Sequence, residues 1–193
     1  MSPFHVHHPE GNRVPVLVSI PHCGTNFPEE LIHLYKPKFI EAPDDTDWFV
    51  NQLYDFAPQM GITLISAIHS RWVIDLNRDP ENKPLYSDGR IITGLCPTTN
   101  FLGESIYIDN RGAVDPADVA RRLKDYYWPY HSELTNLLQS LKSEFGQALI
   151  WDAHSIRAEV ETIYKRRFPD LILGDVDERS AASSIIGTAF TEL

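Results

Sequence analysis

At 193 residues, 42% apolar and 23% charged, the chain has the size and composition of one domain with a real hydrophobic core. A net charge of −10 excludes the basic face that nucleic-acid binding or a polybasic membrane anchor needs. No apolar run approaches the roughly 20 residues of a membrane span. The N-terminal "MSPFHVHHPEGNR" holds no signal-peptide core, and Cys23 and Cys96 are the only cysteines. The expectation is a single cytoplasmic domain over 1–193 with free thiols.

In chain order, "HVHH" reads as a mobile tail despite a metal-compatible spacing. "VPVLVSI" is a short β-branched run bounded by Pro and Gly, which predicts a buried strand. "PEELIHLY" predicts a short helix with Pro in its first turn. "DDTDWFVNQLYDFAPQMG" predicts a capped helix, interrupted at Pro58 and stopped at Gly61. "ITLISAI" and "WVIDL" predict two further strands. Residues 79–113, rich in Pro, Gly, Asn and Asp, predict a long excursion over the surface or the mouth of a site.

The strongest helix signal runs through "VDPADVARRLKDYYWPYHSELTNLLQSLKSEFG". Apolar residues recur there every three or four positions, Asp115–Pro116 marks the start, Pro129 a bend and Gly146 the stop. "QALIWDAHS" predicts another strand, "LILG" a short one and "SAASSIIGTAFTEL" a weak terminal helix. Strands alternating with helices give an α/β class: a layered mixed sheet flanked by helices.

In such sheets ligands bind beyond the carboxyl ends of the strands. Three strand-like runs end there in polar residues, "VLVSI-PHCG", "VIDL-NR" and "ALIWDA-HS", so His22 and His154 hold equivalent places. Two neutral imidazoles and a carboxylate make a plausible catalytic zinc set, and "PDDTDW" offers Asp44, Asp45 and Asp47. Taken singly, a strand-end histidine also reads as a hydrogen-bonded structural residue, and each aspartate as a helix cap. Asp152 has the position to orient a ligand or to cap a loop. His131 reads as packing or surface, and His33 and His69 carry no distinguishing signal. Arg71, Asn77, Arg78 and Arg157 supply guanidinium forks and an amide for a substrate carboxylate, with structural salt bridges as the alternative.

Together, "VLVSIPHCGTNFPEEL", "PDDTDWFVNQLYDFA", "SRWVIDLNRDPENKPLY", "ITGLCPTTNFLGE", "WPYHSEL" and "ALIWDAHSIR" resemble, in sequence and order, the N-formylglutamate amidohydrolases. The resemblance runs to about Gly174 and implies a fold similar to zinc carboxypeptidases. It implies zinc-dependent hydrolysis of N-formyl-L-glutamate to formate and L-glutamate, a step of histidine degradation. The metal ligands implied are His22, His154 and Asp45, with Asp47 as rival, one Zn²⁺ ion being held. The substrate carboxylates would fall to Arg71, Asn77, Arg78 and Arg157, and the small Cys23 and Gly24 would let the substrate approach. The segment that supplies the family's general-base glutamate has no counterpart after "LILG", so no catalytic base is assigned. That departure keeps two alternatives open: a related N-acyl amino acid deacylase, and a metal- or anion-binding module without turnover. It also raises the expectation of self-association through an unpaired sheet edge.

Overall fold

The computed structural model describes residues 2–83, 93–160, 165–175 and 180–192. The chain divides into two compact units, Met1–Ile156 and Arg157–Leu193. The first carries a four-stranded sheet of β1 (Phe4–His7), β2 (Val16–Ile20), β3 (Thr63–Ala67) and β4 (Leu149–Asp152), in the order β1-β3-β2-β4. β1 runs antiparallel to β3, while β2 is parallel to both β3 and β4. The sheet is therefore mixed and the class α/β, as the alternation of elements predicts. The "HVHH" segment is not a free tail: its residues 5–7 lie in strand β1, pairing His5 with Ser66 and His7 with Leu64. Phe4 and Val6 explain this, since at alternate positions both pack against the buried core.

The helices are α1 (Glu29–Ile32), α2 (Pro37–Glu41), α3 (Val50–Leu53), α4 (Pro116–Arg122) and α5 (Trp128–Phe145), with α6 (Ser183–Glu192) in the second unit. A 3₁₀ turn, Ala57–Met60, follows α3, and a π-helical turn, Leu123–Tyr127, joins α4 to α5. Asp115 caps α4 by accepting from the Ala117 N–H at 2.8 Å. Gly146 ends α5 at φ +75, a conformation in which a Cβ is strained. Pro129 explains the π turn: it has no N–H to give and its ring crowds the carbonyl four residues back, so the chain widens just before it.

Two faces of the sheet bury different partners. Leu17, Ile65 and Ala67 pack with Tyr127, Tyr130, Leu137 and Leu141 of the long helical segment. Val18, Ile20 and Leu64 pack on the other face with Val50, Ala57 and Ala153. A further apolar cluster, Leu31, Tyr35, Phe39, Trp72, Val73, Ile106 and Tyr107, closes the side of this unit.

"WVIDL" is not a strand. Its backbone turns instead, with Val73 N–H donating to Ser70 O at 2.9 Å and Asp75 N–H to Leu95 O at 2.8 Å. The run is apolar because Trp72 and Val73 are fully buried in the side cluster, not because it joins the sheet. The helix expected over "DDTDWFVNQLYDFAPQMG" shrinks to α3 and the 3₁₀ turn. Asp45 and Asp47 point inward instead of capping, and Phe49 at φ 66 stands outside the helical region. The excursion at 79–113 holds no helix or strand among its described residues, and 84–92 lie outside them. "LILG" is irregular, and "SAASSIIGTAFTEL" contains α6.

Candidate functional site

The parallel register of β2 and β4 pairs Ser19 with Asp152, so both strands deliver their polar ends to one edge. His22 and His154 follow those ends, and their ring centroids lie 4.8 Å apart. Asp47 joins them because its backbone N–H donates to His22 O at 3.0 Å. Its Oδ2 lies 3.0 Å from His154 Nδ1 and 3.8 Å from His22 Nδ1. Among the described residues His22, Asp47 and His154 form a set of potential metal-ligand atoms lying within 4.8 Å of one another.

Asp45 is held elsewhere. Its carboxylate accepts from Trp72 Nε1 at 3.1 Å and from the Phe101 N–H at 3.0 Å, tying the 100–102 loop to the side cluster. The geometry therefore puts Asp47, the rival, beside the two histidines and gives Asp45 a loop-anchoring place.

Each histidine turns its other nitrogen to a carboxylate. His22 Nε2 meets Asp75 Oδ1 at 2.7 Å, and His154 Nε2 meets Asp152 Oδ2 at 2.9 Å. Burial would raise Asp75, yet His22 and Arg71 hold its carboxyl well below the usual range. An ionised Asp75 accepts only, so His22 carries its proton on Nε2 and aims Nδ1 toward Asp47. Burial, with Arg71 beside it, pushes His22 below its ordinary pKa despite Asp75. Burial also opposes charge on His154, but Asp152 and Asp47 outweigh it and raise the imidazole to about 9.

A carboxylate oxygen and two imidazole nitrogens, each ring fixed by a second carboxylate, have the donor chemistry of a divalent-ion site of the zinc type. The residues present fit such an ion.

Asp75 is fully buried and is the centre of the anion-binding candidates. Arg71 donates to its Oδ2 at 2.6 Å and lies over the Phe101 ring at 4.9 Å. The Asn77 N–H donates to Asp75 Oδ1 at 2.9 Å, and the Asn77 side-chain amide lies 3.2 Å from His154 Nε2. Arg78 Nε donates to Thr93 O at 2.9 Å and approaches Asp75 at 3.8 Å. Arg71, Asn77 and Arg78 thus converge on Asp75, whereas Arg157 is the first residue of the second unit.

Behind His154 runs a relay from the helix. Ser19 Oγ donates to Asp152 Oδ1 at 2.8 Å, and Tyr130 Oη lies 3.1 Å from Ser19 Oγ. Sequence reasoning passed over Asp75, Ser19 and Tyr130 as site residues. For Asp75 a signal exists: an acid inside the apolar run "VIDL" must be paired if buried.

Cys23 and Gly24 do not open a path for substrate. The Cys23 thiol packs inward against Ile20 O and Ala67 O at 3.5 Å, and burial pushes it up to about 11. A Cβ on Gly24 would stand 2.3 Å from His69 O, so its small size lets two backbone segments meet.

A family model for N-formylglutamate amidohydrolases matches residues 14–193. The chain is 42% identical over 162 residues to a Pseudomonas aeruginosa N-formylglutamate deformylase, covering 84% of this chain and 59% of that protein. A Pseudomonas putida N-formylglutamate deformylase is 39% identical over 163 residues with the same coverages, 84% and 59%. The chain thus spans 59% of the length of the curated relatives it matches. The crystal structure of an N-formylglutamate amidohydrolase from Ralstonia eutropha superposes with a TM-score of 0.78 at 25% identity, covering 100% of this chain and 73% of that one. A gene product of Agrobacterium tumefaciens shares the fold alone, with a TM-score of 0.65 at 19% identity over 89% of this chain and 62% of its own. Motif order, the mixed α/β sheet and these matches agree: the chain belongs to the N-formylglutamate amidohydrolase family.

Proposed function

We propose that the protein hydrolyses the formyl amide of N-formyl-L-glutamate, giving formate and L-glutamate, with one divalent ion, zinc by its ligand set, held by His22, Asp47 and His154. The observation that carries this reading is the convergence of those three side chains at the ends of two parallel strands. When bound, such an ion supplies Lewis acidity toward a carbonyl oxygen and toward water. The chain's own residues do the rest. Asp75 and Asp152 fix the ring orientations of His22 and His154, so that each presents Nδ1. Arg71 and Arg78 together outweigh the buried Asp75 by one positive charge, and that excess favours an anionic substrate end through charge-assisted hydrogen bonds. Asn77 stands between that region and His154, in place to orient a substrate polar group. The relatives named N-formylglutamate deformylase support the choice of substrate.

The test is formate release from N-formyl-L-glutamate, beside N-acetyl- and N-succinyl-L-glutamate, before and after chelation. The reading predicts turnover of the formyl compound that disappears with a chelator and returns with zinc. Turnover that survives complete metal removal, or preference for a larger acyl group, contradicts it.

A further inference from the structure

Asn77 and Arg78 lie in an irregular stretch, so something other than sheet pairing must hold them. The carbonyls on either side of the Asn77 peptide plane pair are each taken by a side chain from the helical segment opposite. His131 Nε2 donates to Leu76 O at 2.9 Å, and Tyr127 Oη donates to Arg78 O at 2.8 Å. The two rings support one another, with centroids 4.2 Å apart and planes inclined by 34°. Burial lowers the His131 pKa, which favours a neutral ring, and the Leu76 carbonyl, which can only accept, puts that ring's proton on Nε2.

Tyr127 closes the π-helical turn and His131 follows in the first turn of α5. A π turn inside a long helix re-aims the side chains beside it. Tyr127 and His131 are four apart across its end, the α-helical spacing that shares a face, so both reach the same short stretch of backbone. Apolar side chains of like size would fill this part of the core equally well. Two polar atoms here, each ending on a carbonyl of the loop that carries Asn77 and Arg78, point beyond packing.

We propose that Tyr127 and His131 are positioning residues that clamp the Leu76 and Arg78 carbonyls and so fix Asn77 and Arg78 for binding of the anionic substrate. The consequence for substrate rests on the hydrolase reading above; the clamp itself does not. Three variants test it: Tyr127→Phe and His131→Leu remove one donor each, and His131→Gln keeps a donor of similar reach. Amide hydrogen exchange at Asn77 and Arg78 is measured in metal-free protein, because these amides bond within the clamped stretch to Asp75. Michaelis constants for N-formyl-L-glutamate and zinc affinities are measured beside it.

Exchange at both amides is expected to quicken about five- to tenfold in Tyr127→Phe and His131→Leu, the scale of one lost hydrogen bond. KM should rise by a similar factor, with kcat and zinc affinity within about twofold and with His131→Gln close to wild type. Unchanged exchange at Asn77 and Arg78 would overturn the clamp, as would a lowered melting temperature with KM unmoved. If the wild-type protein released no formate, the hydrolase reading would fall, while the exchange data would still decide the clamp.

Discussion

Asp75 holds His22 and the Asn77 N–H through Oδ1 and Arg71 through Oδ2, with no exposed surface of its own. Replacing it with Asn keeps the shape and removes the charge. Asp75→Asn should weaken zinc binding by about 10- to 100-fold, as loss of a carboxylate behind a ligating histidine does. It should also lower stability by about 3–5 kcal/mol, because Arg71 is left buried without its counter-charge. Isothermal titration with zinc and denaturant melts read the two effects separately. Asp45 and Asp47 divide in the same residue-level way. Asp45→Ala should keep zinc and lose stability through the freed Trp72 and Phe101 N–H groups, while Asp47→Ala should lose zinc. The sequence spacing left the two open because both fall in one turn; they separate through contacts with distant residues, Asp45 with Trp72 and Phe101 and Asp47 with His22 and His154.

At the scale of elements, α5 is both the floor of the sheet and the back wall of the site. Leu141 is fully buried against Leu17 and its neighbours, so Leu141→Ala should cost about 2–5 kcal/mol in chemical denaturation. The strands β2, β3 and β4 and the long helical segment were legible because hydrophobic period and turn residues agreed there. The π turn was legible only as a bend at Pro129. "WVIDL" misled because a buried turn and a buried strand share one composition; its burial comes from the side cluster, which is assembled from residues distant in sequence. The strand at "HVHH" was hidden by its histidines, which alternate with the buried-facing Phe4 and Val6.

Across the whole molecule, α4 is fastened to the side cluster by one buried cation. Arg122 has no exposed surface and donates to Tyr35 Oη, Tyr107 Oη and Val73 O, while Asp118 balances its charge at 2.7 Å. Burial opposes charge on Asp118, yet Arg122 and Arg121 lower its pKa below the ordinary carboxylate value. A lowered folded-state pKa means the pair's stabilisation is complete above the unfolded value of about 3.9 and is lost as pH falls through the folded value. Thermal melts should therefore hold steady on this account above about pH 5 and fall below it, with a shallower acid slope in Asp118→Asn. At this scale the site was legible as two histidines at strand ends and a nearby acid. Of the carboxylates behind them, Asp152 was legible two residues before His154, whereas Asp75 was not, since it meets His22 only once segments 53 residues apart fold together.

The most direct measurement is the zinc-to-protein ratio by mass spectrometry after chelation and reloading, in wild type and in Asp47→Ala and His154→Ala. The account predicts about one ion per chain in the wild type and none retained in either variant. Full zinc in Asp47→Ala, or no zinc in the wild type after loading, would contradict the metal centre built from His22, Asp47 and His154.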